Sequence, residues 1–227
     1  MERSPIEHKL SDIKVSLIQK NIAGSDILDV GSGYGYYSEW LAEKNPHLRI
    51  VAIDQLDLAG VKGADFMRIN LEQPLPFEDN CFDTILAFDI IEHITAESSL
   101  INELYRICRP NGVLVGSVPH NNDGFLPAYN LTFYHRTDLT HKRYYTPESL
   151  RIALERGTFS VDHISAQGIV PPSVFAEFFI PWLRPVAKKI IGALRRVHVL
   201  NAQILSSDLF FVAHKYGERT DTTCARQ

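Results

Sequence analysis

Residues 27–35 read ILDVGSGYG. A short apolar run carries one acid, Asp29, and meets three glycines at alternating positions, Gly31, Gly33 and Gly35. Tyr36–Lys44 then has the composition of a helix that stops before Pro46. A strand that turns through glycines into a helix lets the backbone bend tightly and lie close to a ligand. No Lys-Ser/Thr pair follows, so a P-loop is excluded. A dinucleotide fingerprint would put its third glycine at position 36, where this chain has Tyr36. Asp54 ends the next apolar run, RIVAID, where an acid can accept from both hydroxyls of a ribose.

The rest of the chain follows the same alternation. Ile6, Leu10, Ile13 and Leu17 fall on one face of an N-terminal helix within residues 1–23. DFMRI, Phe82–Phe88 and Val113–Val118 read as further strands, with a helix over Glu97–Cys108 that breaks at RPNG. Thr146 is placed to cap a helix that begins with Pro147 and runs to about Arg156. Phe159–Ile164 and Asp208–His214 complete the strands. Alternating strands and helices with right-handed crossovers imply an α/β fold, a mostly parallel sheet with helices on both faces. Ligands in such sheets sit at the carboxyl ends of the strands.

Composition narrows the function. With 23 Lys+Arg against 27 Asp+Glu the formal net charge is −4, which argues against nucleic acid as the main partner. Cys81, Cys108 and Cys224 form neither a zinc pattern nor a disulfide framework, as expected of a cytoplasmic protein. No apolar segment near the N-terminus reads as a signal peptide, and IVPPSVFAEFFIPWL is interrupted by Pro171, Pro172, Glu177 and Pro181. The expectation is one domain over 1–216 with a frayed tail at 217–227.

Taken together, ILDVGSGYG, VAID, NLEQPLPFEDNCFDTILAFDIIEHI and LYRICRPNGVLVGSVP resemble the class I S-adenosylmethionine-dependent methyltransferases. The likeness covers about residues 24–165 and the last strand. It is closest to the small-molecule branch that includes ubiquinone-type and glycan or lipid O-methyltransferases. The resemblance implies a Rossmann-like seven-stranded sheet with the last strand antiparallel. It implies that Asp29, Gly31, Gly33, Tyr34 and Gly35 hold the methionine part of S-adenosylmethionine and that Asp54 clamps its ribose. Gln55 would touch the adenosine edge. Asn70 stands where the family usually has an acid facing the adenine amino group, with Leu71 beside the ring. The backbone carbonyl of Phe88 would face the ammonium. The DIIEHI motif is similar to a Glu-x-x-Glu-His set linked to a divalent cation, so Asp89, Glu92 and His93 are the implied ligands of a magnesium ion. The competing reading is that His93 only buttresses the sheet edge.

Two segments exceed what the cofactor body needs. The loop 120–146 is polar and carries His120, His135 and His141. A loop this long is usually functional. His141 is the first candidate to accept a proton from the acceptor, with His93 and His120 beside it, and Arg143 could hold an acidic or phosphate group. Equally, His141 and Arg143 could serve only to tie the loop down. The segment 168–206 reads as a helical insert before the last strand. Within 182–200, Leu183, Val186, Ile190, Leu194 and Val197 share one side and Arg184, Lys188, Lys189, Arg195 and Arg196 the other. That pattern suits a lid, a homodimer contact or a peripheral membrane contact. The expected function is methyl transfer to a small-molecule, sugar or lipid-linked acceptor, most simply at a hydroxyl oxygen. A nicotinamide-dependent oxidoreductase and a non-catalytic S-adenosylmethionine-binding regulatory subunit are the alternatives.

Overall fold

A computed structural model describes residues 6–122, 134–169 and 206–217, with positions 181–183, 185–187, 189–190 and 193 of the insert. Helix α1 (Asp12–Asn21) leads into strand β1 (Asp26–Val30), α2 (Tyr36–Lys44), β2 (Arg49–Asp54) and β3 (Asp65–Arg68). After β4 (Phe82–Phe88) come a 3-10 turn at Ile91–His93, α3 (Glu97–Ile107) and β5 (Cys108–Pro119). Then α4 (Pro147–Arg156), β6 (Ser160–Ile169) and β7 (Ser206–His214) close the fold.

The seven strands lie in the order β3-β2-β1-β4-β5-β7-β6. The first five run parallel, and β7 is antiparallel to both of its neighbours. The expected architecture is therefore present. Continuous burial along β4 and most of β5 fits a sheet covered on both faces. One cluster packs α3 and α4 on one face around Leu28, Ile85, Leu104 and Phe211. The other packs α1 and α2 around Ile18, Trp40, Leu41 and Val115.

Local signals set most boundaries. The Thr146 side chain accepts from Ser149 N while Ser149 Oγ accepts from Thr146 N, so the anticipated cap is a reciprocal one. The N-terminal helix starts later than its apolar spacing suggests, at Asp12, after a 3-10 turn over Glu7–Lys9. Strand β5 begins directly after α3 at Cys108, where RPNG was expected to separate them. Asn111 adopts φ 63° and the β4–β5 register shifts between Phe82 and Thr84, so the breaker residues form a bulge within the strand.

Opposite the ligand end, one cation fastens the sheet. Arg109 Nη1 lies 2.6 Å from Asp26 Oδ2 and 2.9 Å from Asp83 Oδ2, and its Nε donates to the Asn80 carbonyl. Asp83 also accepts from the backbone N–H groups of Ser25 and Asp26. These contacts tie β1, β4 and the start of β5 together at their amino ends.

Within 120–146, the described part from Tyr134 docks on the β4–α3 connection. Lys142 N donates to Glu92 O, and the Tyr145 and Asn121 amides pair with Pro119 O and Tyr145 O. Of the insert, Trp182, Val186 and Ile190 are exposed and Ala187 is buried. Leu194, Val197 and the basic residues Arg184, Lys188, Arg195 and Arg196 lie outside the described residues, as does most of 168–206. Among the described residues, no helix is long and apolar enough to cross a membrane.

Candidate active site

The carboxyl ends of β1, β2 and β4 open into a cavity of about 380 Å³. Gly31, Asp54, Gln55, Asn70 and Leu71 line one side, and Asp89, His93, Thr140 and Lys142 line the other. Topology brings these positions together. Adjacent parallel strands end side by side, so residues far apart in sequence share one rim.

The glycine loop is held from below. Gly31 N and Ser32 N donate to Ile53 O at the end of β2. Gly31 has φ 66°, and a Cβ there would meet the Ile90 side chain at 2.5 Å, so only glycine fits. Gly33 has φ 55° with open space above it, and Gly35 forms the left-handed N-cap of α2. Asp54 accepts from Gly33 N at 2.8 Å and from Leu56 N at 2.9 Å. Its carboxylate thus orders both loops that frame a ribose-sized site, and each oxygen keeps a further lone pair.

Asp29 sits beneath the loop, 3% exposed, and does not line the cavity. The Ser38 hydroxyl donates to its Oδ2 at 2.7 Å. Burial pushes its carboxyl up to about 6, against this hydrogen bond. A buried acid in that state gains from a cation nearby. Asn70 Oδ1 accepts from Glu72 N at 3.0 Å, so one lone pair is already used in an Asx turn. Leu71 is buried against the same wall. Phe88 packs its ring on Tyr37. Tyr34 is exposed and stacks on Tyr36, outside the cavity lining.

Across the cavity the structure revises the assumed metal set. Asp89 is a non-glycine residue at φ 52°, and its carboxylate is directed to Lys14 Nζ from α1 and Ser117 Oγ, away from the group formed by Glu92 and His93. The side chains of Asp89, Glu92 and His93 therefore do not converge as implied, and the residues present do not fit the two-carboxylate magnesium site. What converges instead is Glu92, His93 and His141, with one ligand-capable atom from each within 4.8 Å of the others. The His93 and His141 rings meet edge-on at 4.6 Å between centroids. Thr140 Oγ1 donates to Asp138 Oδ1 and lies 2.9 Å from His93 Nδ1. With its own proton given to Asp138, the hydroxyl accepts from His93 Nδ1–H, which leaves Nε2 with a free lone pair. Burial and the neighbouring His93 ring hold His141 below the usual imidazole value. Burial, reinforced by the Asp89 charge, pushes Glu92 up to about 9.

Two other expectations are corrected. Arg143 is not free to hold a phosphate. Its three nitrogens contact Glu97 Oε2, Ile94 O and Thr95 O, so it fastens the loop to the start of α3. His120 is buried with Nδ1 2.9 Å from Ser206 Oγ and is absent from the cavity lining, because its strand end bridges to Tyr145. Lys142 and Thr140, which the sequence did not single out, face the cavity.

Residues 28–116 match the model of a methyltransferase domain. That stretch is a methyltransferase-domain sequence, and the seven-stranded sheet it helps to build has the class I methyltransferase fold. A ubiquinone biosynthesis O-methyltransferase of Hahella chejuensis is 28% identical over 127 residues, which cover 51% of this chain and 52% of that protein. The chain thus spans about half the length of the curated relatives it matches. Among solved structures, an S-adenosylmethionine-dependent methyltransferase from Archaeoglobus fulgidus superposes with a TM-score of 0.59 at 18% identity, covering 89% of this chain and 93% of that one. The cyclase SpnF superposes at 0.62 and 18% identity, covering 91% and 81%. At these identities the likeness establishes the fold, and the domain's chemistry has to be argued from its site.

Proposed function

We propose that the protein transfers a methyl group from S-adenosylmethionine to an oxygen of a small-molecule, sugar or lipid-linked acceptor. The observation that carries this reading is the two-sided cavity, with Gly31 of the glycine loop and the ribose acid on one wall and the His93 imidazole and Lys142 on the other. S-adenosylmethionine, when bound, supplies an electrophilic methyl group on a sulfonium. Asp54 would hold the ribose, Asn70 and Leu71 the adenine edge, and Asp29 with the glycine loop the ammonium. Placement of the two reactants and exclusion of water supply much of the rate for such a displacement. A hydroxyl acceptor must also lose a proton, and the corner of Glu92, His93 and His141 is where that charge would be managed. His120 has no part in this reading, because it is buried with Nδ1 against Ser206 Oγ, apart from the cluster of Glu92, His93 and His141.

Calorimetry separates the alternatives. The protein is expected to bind S-adenosylhomocysteine and not NAD, since Tyr36 replaces the third glycine of a dinucleotide loop. Binding of NAD alone would replace this reading with the oxidoreductase one. Transfer of labelled methyl to a component of fractionated cell extract would separate an enzyme from a regulatory subunit. Once an acceptor is known, Lys142→Ala is expected to raise its KM about tenfold with kcat nearly unchanged if the acceptor is anionic.

A further inference from the structure

Among the described residues, Glu92 and His141 each bury a polar atom that makes no hydrogen bond, and the two side chains lie together. Glu92 is 1% exposed and its Oε2 makes no hydrogen bond, and the same holds for Nδ1 of His141. A buried polar atom left unsatisfied destabilises the fold, and more so for a charged group. Protonation of Glu92 does not remove the problem, since an O–H in that place needs an acceptor as much as an oxyanion needs a donor. The two atoms belong to residues brought together from the 3-10 turn after β4 and from the loop before α4, and His93 completes the group.

We propose that Glu92, His93 and His141 form a binding site for a divalent transition ion, of the zinc, cobalt or manganese kind. Two imidazoles and one carboxylate favour such ions over magnesium, which prefers all-oxygen shells. Three protein ligands leave positions open for water or an oxygen ligand, and His93 places those positions at the cavity. The supporting shell is already built. Asp138 and Thr140 fix His93 through Nδ1 and so present Nε2. Asp89 is excluded from the set because Lys14 and Ser117 hold it. The site rests on these side chains alone and stands whether or not the methyl-transfer reading does.

The test is direct metal binding by the full chain after chelator stripping, with zinc and cobalt as probes. Equilibrium dialysis is expected to give one cobalt per chain, with imidazole nitrogens in its X-ray absorption spectrum. Glu92→Gln and His141→Ala are each expected to weaken cobalt binding at least tenfold, and Asp89→Asn to leave it within about threefold. Glu92→Gln preserves the side-chain shape and removes a buried acid, so it is expected to fold. Absence of binding, oxygen-only coordination, binding unchanged in His141→Ala, or binding lost in Asp89→Asn would each overturn the proposal.

Discussion

Asp29→Asn is expected to weaken S-adenosylhomocysteine binding about thirtyfold while leaving the apoprotein no less stable at pH 8. Two properties of the residue lead there. Its carboxyl is buried and accepts hydrogen bonds from Ser38, and burial raises it to about 6. Carrying a charge in that place costs folding energy and is useful only when a cation such as the ligand's ammonium is near. Loss of a charge-assisted interaction of roughly 2 kcal/mol corresponds to a factor of about thirty. The same logic fixes the pH dependence. A carboxyl raised in the folded state favours folding fully below its unfolded value of 3.8, and this contribution is lost as pH rises through about 6. Wild-type apoprotein is thus expected to lose stability across that window, and Asp29→Asn to lack that component. Binding runs the other way, because the ammonium favours the ionised acid. Affinity is expected to be flat above pH 7 and to fall about tenfold by pH 5 in the wild type only. Calorimetry at pH 5 and pH 8, with thermal melts of both apoproteins, checks all of this. A thirtyfold loss accompanied by a large drop in melting temperature would mean that Asp29 holds the loop rather than the ligand.

How much of this was readable in the sequence follows from the range of each interaction. The strands and helices announce themselves through local period, and the glycine loop fixes the first crossover. Asp54, Gln55, Asn70 and Leu71 could be located because each ends or follows a strand, and parallel topology then gathers those ends. Side chains that meet across long stretches of chain leave no such trace. Lys14 reaches Asp89 from 75 residues away, and nothing in the spacing of DIIEHI shows that its first acid is already engaged. The Arg143 guanidinium looks available in sequence and is spent on carbonyls that the turn before α3 leaves exposed. The pairing of His141 with His93 depended on how a loop folds back, which polar sequence without a period does not encode. The closest signal was the run from Asp138 to His141, where an acid, a hydroxyl and an imidazole fall within four residues.

Arg109→Met is expected to do the reverse of Asp29→Asn. It should cost about 3 kcal/mol of stability, lowering Tm by roughly 6–12 °C, and leave the affinity for S-adenosylhomocysteine unchanged well below the transition. Arg109 is largely buried and pairs with Asp26 and Asp83, both themselves mostly buried. Asp26 retains Arg49 when Arg109 is removed. Asp83 keeps the Ser25 and Asp26 amides but loses the guanidinium that lies 2.9 Å from its Oδ2. The charge left on Asp83, and not the loss of the pair as such, is the source of the cost. Replacing Asp83 as well, in Asp83→Asn/Arg109→Met, is therefore expected to recover part of the loss, because an amide can still accept from both backbone N–H groups. The affinity is expected to hold because the network sits at the amino ends of β1 and β4, whereas the ligand sits at the opposite ends of the same strands. If Arg109→Met lowered affinity as much as stability, the two ends of the sheet would be coupled, and the cavity would depend on strand register rather than on the rim residues alone.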